Sequence, residues 1–590
     1  MRPSSPVNMA FALTYCYTTV GLVFAAAFIQ RGYQDTWILQ DVFLPTLLYV
    51  SSFIIMAVKV RDSRTLACLG SSFPVALNAI PNLKYQLFYG TFDSAGHYGF
   101  INSLLTLGNV PQKGFYAPWY GDNPLMHILV ASLSLLLGIS ANDAIKLFTS
   151  VIYGVLPLMT YFATKGTFRN DVQKWIVVAA SLPVVSPSYV LSGAVFGGTL
   201  YFVFLCVLLR MLVARRNVRR FSLFLLIIGY AIMLSHPATM AFLLLSLGAI
   251  MCVFVLNNLR THEPLSDASR ILGAFTVLAV SWMALEMFKA RFMFEVLVET
   301  AKRILFVPSA TAAIPQRFFE IPVLAQLEVL AVFHIKDVLF GLVSLLGLVI
   351  LLKRRFCKES NYARVYLPLV AIETAMAFAL ILELLSGSGG FGELQYQRAI
   401  GYAAILQPFF FGFAIFQLHE RLKKLGFRQV LIGFLLLLLV SASLIQVFSY
   451  QPLIPRANLL SKDLPEDEYI AETRMVNSLC QVSLISFADR YSNSHSRVTS
   501  DTVTRWQIYA FASESFGSRH IYYSALVPGI PAQVNWDIFL LHYDGSAGPL
   551  AEQVEYRTMV RVQNLKGTLG NVVYDAGGSF LIERTTLMSG

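Results

Sequence analysis

Asp93 and His97 stand four residues apart in the stretch Tyr89–His127, YGTFDSAGHYGFINSLLTLGNVPQKGFYAPWYGDNPLMH. On a helix that spacing puts both on one face. A carboxylate at a membrane surface can take the proton of an acceptor hydroxyl as general base. An imidazole beside it can orient it, donate to a phosphate or share a metal. An Asp at a helix start can equally well accept a backbone N–H as an N-cap. Spacing leaves both readings of Asp93 open.

The same stretch offers further polar groups. Asp122 and Asn123 precede Pro124, where turn chemistry and helix capping compete with a second carboxylate for a metal or the acceptor. Asp93, His97 and Asp122 are the only plausible ligands in this loop, so either a divalent metal or no cofactor is compatible with it. Tyr116, Trp119 and Tyr120 read as an interfacial belt or as a platform for a sugar ring. Farther on, the Gly-rich segment SGSGGFGELQYQR ends in Arg398. Its guanidinium fork suits phosphate oxygens, the alternative being snorkelling to the interface. Lys302, Arg303 and Arg317 can hold a lipid phosphate or anionic headgroups. His236, in the turn before Pro237, can reach a substrate or cap its own helix, and Glu373 lies within an apolar run.

These residues need elements to hold them. The chain has 590 residues, 56% hydrophobic and 13% charged, with mean hydropathy +0.61. Soluble domains carry about 25% charged residues, so this is a multi-span membrane protein. Apolar runs at 10–29, 41–58, 65–82, 146–164, 173–191, 194–213, 221–235, 237–257, 271–288, 335–352, 365–385, 399–417 and 429–449 predict about thirteen transmembrane helices. The first run is longer than a cleaved signal core and reads as an uncleaved span. The net charge of +11 collects in alternate loops, around Arg61 and Arg64, Lys165 and Lys174, Arg215 to Arg220, Lys353 to Arg364, and Arg421 to Arg428. By the positive-inside bias those loops and the N-terminus are cytoplasmic, and a nucleic-acid partner is excluded. The Asp93 loop, about 83–145, then lies outside. It should hold a surface helix starting at Asp93 and ended by Asn109-Val-Pro, and a second, non-spanning helix over Pro124 to Gly138.

The composition changes after residue 450. Residues 1–450 read as the transmembrane domain and 451–590 as a small extracytoplasmic α/β domain. Strands are expected over Val482–Phe487, His520–Tyr523 and Trp536–Tyr543, with a hairpin over Asn571–Glu583. Of six cysteines only Cys480 falls there, which rules out a disulfide framework in that domain.

The stretch FDSAGHYGFINSLLTLGNVP…YGDNPLMHILVASLSLLLGIS resembles the first outer loop of the GT-C superfamily of membrane glycosyltransferases. That superfamily includes protein O-mannosyltransferases, aminoarabinose transferases and oligosaccharyltransferases. RVTSDTVTRWQIY and GNVVYDAGGSFLIER look like the external domain of archaeal members. The resemblance implies transfer of a sugar from a polyprenyl phosphate or diphosphate to a hydroxyl of a lipid, protein or glycan in the cell envelope. Asp93 would be the base, assisted by His97. Arg398 would hold the leaving phosphate, with Lys302, Arg303 or Arg317, while Asp122, Tyr116, Tyr120 and His236 would bind substrate. No Asp-Glu doublet, Asp-x-Asp or Trp-Trp-Asp is present, which argues against asparagine-directed transfer. The rival readings are a transporter or flippase of lipid-linked saccharides and a non-catalytic envelope scaffold.

Overall fold

The computed structural model describes residues 63–84, 87–88, 93–111, 120–168, 171–181, 191–214, 218–261, 266–290, 335–353, 360–386, 401–423, 479–491, 498–500, 508, 511, 538–542, 571–575 and 579–583. The expected spans 10–29, 41–58 and 429–449 and the strand over His520–Tyr523 lie outside the described residues, as do Tyr116, Trp119, Lys302, Arg303, Arg317 and Arg398.

The apolar runs form helices. They are α1 Ser63–Lys84, α2 Asp93–Leu107, α3 Leu125–Leu137, α4 Ala141–Val151, α5 Val155–Thr167, α6 Asp171–Ser181, α7 Gly193–Ala214, α8 Val218–Met233, α9 Pro237–Thr261, α10 Ser266–Leu285, α11 Ile335–Lys353, α12 Ser360–Ser386 and α13 Gln407–Lys423. Among the described residues, Ala141–Lys165, Gly193–Val213, Pro237–Asn257 and Ile271–Lys289 are long and apolar enough to cross a bilayer. The first combines α4 and α5 through the 3₁₀ turn Ile152–Gly154. With the composition, this makes the chain a helical polytopic membrane protein.

The bundle core is apolar. Tyr201, Phe204 and Leu205 of α7 pack with Leu243 and Leu247 of α9, Tyr366 and Leu369 of α12, and Phe409 of α13. Polar groups tie α1 to α4. Asn82 Nδ2 lies 3.0 Å from Thr149 Oγ1 and 3.1 Å from Ser150 Oγ, in surroundings where buried amides need partners.

The α2–α3 hairpin does not cross the bundle. α3, at about 20 Å, is short of a hydrocarbon core of about 30 Å. It closes on Gly138, whose φ of 63° is the left-handed conformation that favours glycine at a helix end. Ser140 then caps α4, accepting the Asp143 N–H at 3.1 Å. Leu135, Leu136 and Leu137 are exposed, as suits a helix end facing lipid.

In the tail, β1 Val498–Ser500, β2 Ile538–His542, β3 Asn571–Asp575 and β4 Ser579–Glu583 form a sheet of order β1-β2-β4-β3. β1 and β2 are parallel, while β2–β4 and the β3–β4 hairpin are antiparallel. The expected hairpin is present. The strand expected over Val482–Phe487 is instead part of helix α14, Leu479–Tyr491. Ile485 and Ala488, three apart, are its buried face, so a helical period governs where Val, Ile and Phe suggested a strand.

Candidate functional site

One end of the bundle gathers the polar residues. α2 begins at Asp93. The next residue, Ser94, accepts the Leu191 N–H on Oγ at 2.7 Å, which fixes the start of α2 to the segment leading into α7. Phe100 and Ile101 are buried, and Leu107 at the far end is exposed. The start of α2 is thus tied to the segment leading into α7, and a helix start is where the dipole stabilises a carboxylate.

His97, one turn on, faces inward and is 1% exposed. Its Nδ1 lies 2.9 Å from Nε2 of His127 on α3, itself 0% exposed. Phe100 and Tyr120 close the box, with ring centroids 4.3 and 5.1 Å from His127. Burial, and then the neighbouring His97, hold the His127 pKa well below its ordinary value, so His127 is neutral. One proton occupies the bond between them. Nδ1 of His127 has no hydrogen-bond partner among the described residues. Either ring nitrogen can be the donor in the bond between His97 and His127.

Tyr120 links this pair to α7. Its ring meets His97 edge-on at 4.9 Å. A Cβ on Gly193 would come within 2.8 Å of that ring, so glycine is what lets α7 approach it. One turn along α7, a Cβ on Gly197 would come within 2.6 Å of Thr239 Oγ1 and 3.0 Å of His236 Cβ. Positions four apart share a helix face. Tyr120 and His236 therefore sit side by side on one face of α7, about 6 Å apart along its axis.

His236 is buried and caps α9, its Nδ1 accepting the Thr239 N–H at 3.2 Å. Thr239 Oγ1 is 2.9 Å from the same nitrogen and 2.6 Å from the Tyr402 hydroxyl. The turn ahead of α9 also reaches the first loop, because the Leu125 N–H donates to the Leu234 carbonyl at 3.0 Å.

Asp122 is in a turn closed by the Asn123 N–H on the Tyr120 carbonyl. The expected capping role is corrected: Pro124 holds the N-cap position of α3 with no side-chain cap bond. The Asp122 carboxylate instead pairs with Lys289 at 3.1 Å, the two being 24% and 65% exposed. Lys289 lies on a π-helical turn, Glu286–Ala290, that ends α10 and also buries Glu286. Such turns often mark functional sites.

Among the described residues no three His, Cys, Asp or Glu lie together. His97 gives Nδ1 to His127, and Asp122 gives its carboxylate to Lys289.

The fold thus brings His97 against Tyr120 and sets Tyr120 and His236 along one face of α7, while Asp122 turns to Lys289. Sequence reasoning missed His127 and Glu286. His127 stands alone in the apolar run LMHILV, and only the pairing of α2 with α3 shows its partner, thirty residues away in sequence.

No family model and no curated protein sequence matches the chain. Among solved structures it is similar to the crystal structure of ArnT from Cupriavidus metallidurans bound to undecaprenyl phosphate, at 11% identity and TM-score 0.41, over 88% of this chain and 98% of that one.

Proposed function

We propose that this chain is a GT-C-type membrane glycosyltransferase. It moves a hexose or pentose from a polyprenyl-phosphate or diphosphate donor to a hydroxyl of a lipid, protein or glycan on the outer face of the cell membrane. The N-terminus is cytoplasmic, and residues 451–590 form an extracytoplasmic domain. The observation that carries this reading is that the helix beginning at Asp93 brings His97 against Tyr120, which shares a face of α7 with His236.

In the reaction Asp93 takes the acceptor proton as the hydroxyl oxygen attacks the anomeric carbon. The bond from that carbon to the phosphate oxygen breaks, and the phosphate leaves with the electron pair. His97, fixed by its bond to His127, assists Asp93. Arg398, with Arg303 and Arg317, meets the charge as it develops, which is where fixed donors lower a barrier most. Tyr116 and Tyr120 give the sugar an apolar edge, and Asp122, through Lys289, holds the loop to α10.

The test uses purified protein in nanodiscs with a labelled polyprenyl-phosphate sugar. Lipid phosphate should be released with time and acceptor. Asp93→Asn should lower turnover about 10²-fold or more, as for loss of a general base, while leaving the protein folded. Arg398→Ala should chiefly raise KM for the donor. Full turnover in Asp93→Asn sinks the base assignment. Passage of intact lipid-linked sugar across vesicles, with no cleavage, sinks the transferase in favour of a flippase.

A further inference from the structure

We propose that the end of the bundle opposite the Asp93 helix holds one anionic glycerophospholipid, with Arg210 on its headgroup phosphate. This does not depend on the transferase reading. Arg210 lies on α7 about 25 Å along the axis from Gly193, the residue that meets Tyr120. That is most of a hydrocarbon core of about 30 Å, so Arg210 belongs to the other leaflet. It is half-buried and part of the helix, ahead of the basic loop that follows. Among the described residues its guanidinium stands over the Phe162 ring of α5, 6.0 Å from the centroid, and pairs with no carboxylate. A cation within a span needs a partner, and one aromatic face does not take up the five N–H donors of a guanidinium.

Two contacts draw α8 to the same place. Phe162 packs on Phe221 with ring centroids 6.4 Å apart, and Ser222 Oγ donates to Met211 Sδ at 3.7 Å, beside Arg210. The exposed Arg219 and Arg220 directly precede Phe221, and the exposed Lys165 follows Phe162 by one helical turn. Three helix ends therefore bring cations together. Val155–Thr167 and Gly193–Met233 contain no Asp or Glu, so α5, α7 and α8 supply no counter-ion of their own. Leu223, Phe224 and Ile227 are exposed and stand at helical spacing from Arg220. Along α8 a cation is thus followed by an apolar row, the order of a headgroup phosphate and its acyl chain. Basic pockets between spans are suited to anionic headgroups. Arg210 differs from the loop cations, which act on the whole surface, because its fork is stacked, half-buried and shaped for two phosphate oxygens.

The probe is phosphatidylglycerol, titrated into the full-length protein in detergent and read by native mass spectrometry beside phosphatidylcholine of the same chains. The first phosphatidylglycerol should bind about tenfold tighter than the first phosphatidylcholine, the worth of one charge-assisted hydrogen bond. Arg210→Gln should abolish that preference. Arg210→Lys keeps the charge without the fork and should weaken phosphatidylglycerol binding about threefold. Phe162→Leu leaves every charge in place but removes the ring under the guanidinium, and should weaken it about twofold to fivefold. These last two variants decide the matter even where Arg210→Gln does not fold. Equal affinity of the wild type for the two lipids, or an undiminished preference in Arg210→Gln, overturns the site. Wild-type affinity in both Arg210→Lys and Phe162→Leu reduces it to diffuse attraction by surface charge and overturns it as well. Displacement of the bound phosphatidylglycerol by undecaprenyl phosphate overturns the assignment to a glycerophospholipid.

Discussion

At the scale of single residues, two imidazoles shape the Asp93 end of the bundle, and each is held by a bond at Nδ1. For His97 that bond comes from His127, whose pKa burial and the His97 ring hold well below its ordinary value of 6.5. Just below that pH the unfolded chain therefore binds more protons than the folded one. Stability is full above about pH 6.5 and falls as pH drops through it, with a limiting slope of about 1.4 kcal/mol per unit for one proton. Hydrogen exchange, corrected for intrinsic rates, should show α2 and α3 opening more readily from pH 7 to pH 5. His127→Gln, which keeps a polar group in the box but cannot titrate, should flatten that dependence. An equal dependence in the variant would place the acid sensitivity elsewhere.

At the scale of elements, α7 acts as the rail on which Tyr120 and His236 are set. Gly193→Ala puts a methyl 2.8 Å from the Tyr120 ring. The ring's outer edge can swing away, so the stability cost should stay at or below the 1–3 kcal/mol of ordinary overpacking. Turnover should suffer more, because a displacement of about 1 Å in a positioning group can cost about 10²-fold. A thermal melt and a donor-saturation curve on the same preparation would separate the two, and a variant with wild-type turnover would show that Tyr120 does not position substrate. Much of this element scale was legible in the sequence. Asp93 at the head of an apolar periodic run and Asn109-Val-Pro behind it gave α2, and Gly138-Ile-Ser gave the α3–α4 junction. The side-by-side placement of Tyr120 and His236 was not legible, because it depends on two glycines of a third helix and leaves no pattern in either segment. The strand expected at Val482–Phe487 failed for a related reason. β-Rich composition is a weak guide when burial at Ile485 and Ala488 follows a helical period.

At the scale of the whole molecule, the tail touches the element that starts with Asp93. Phe511 packs on Phe88 at 6.3 Å and on Tyr98 of α2 at 5.3 Å, and Phe88 and Tyr98 are themselves 5.0 Å apart. Phe88 is fixed in turn by its N–H bond to Asn142 Oδ1 at 2.8 Å. Tyr98 follows His97 directly, so a ring from beyond residue 500 rests on the helix that presents the imidazole pair. Where Phe511 would rest was not legible in the sequence, since RWQIYAF carries no mark of its partner. Aromatic pairs are worth about 0.5–1.5 kcal/mol beyond the area they bury. Phe511→Ala and Tyr98→Ala should therefore couple by about that amount in a double-mutant cycle on stability. If the tail acts by holding α2, Phe511→Ala should also raise hydrogen exchange across 93–107 and lower kcat, with KM for the donor nearly unchanged. Unaltered exchange together with unaltered kcat would mean that the aromatic contact serves the tail's own folding and does not hold the Asp93 helix.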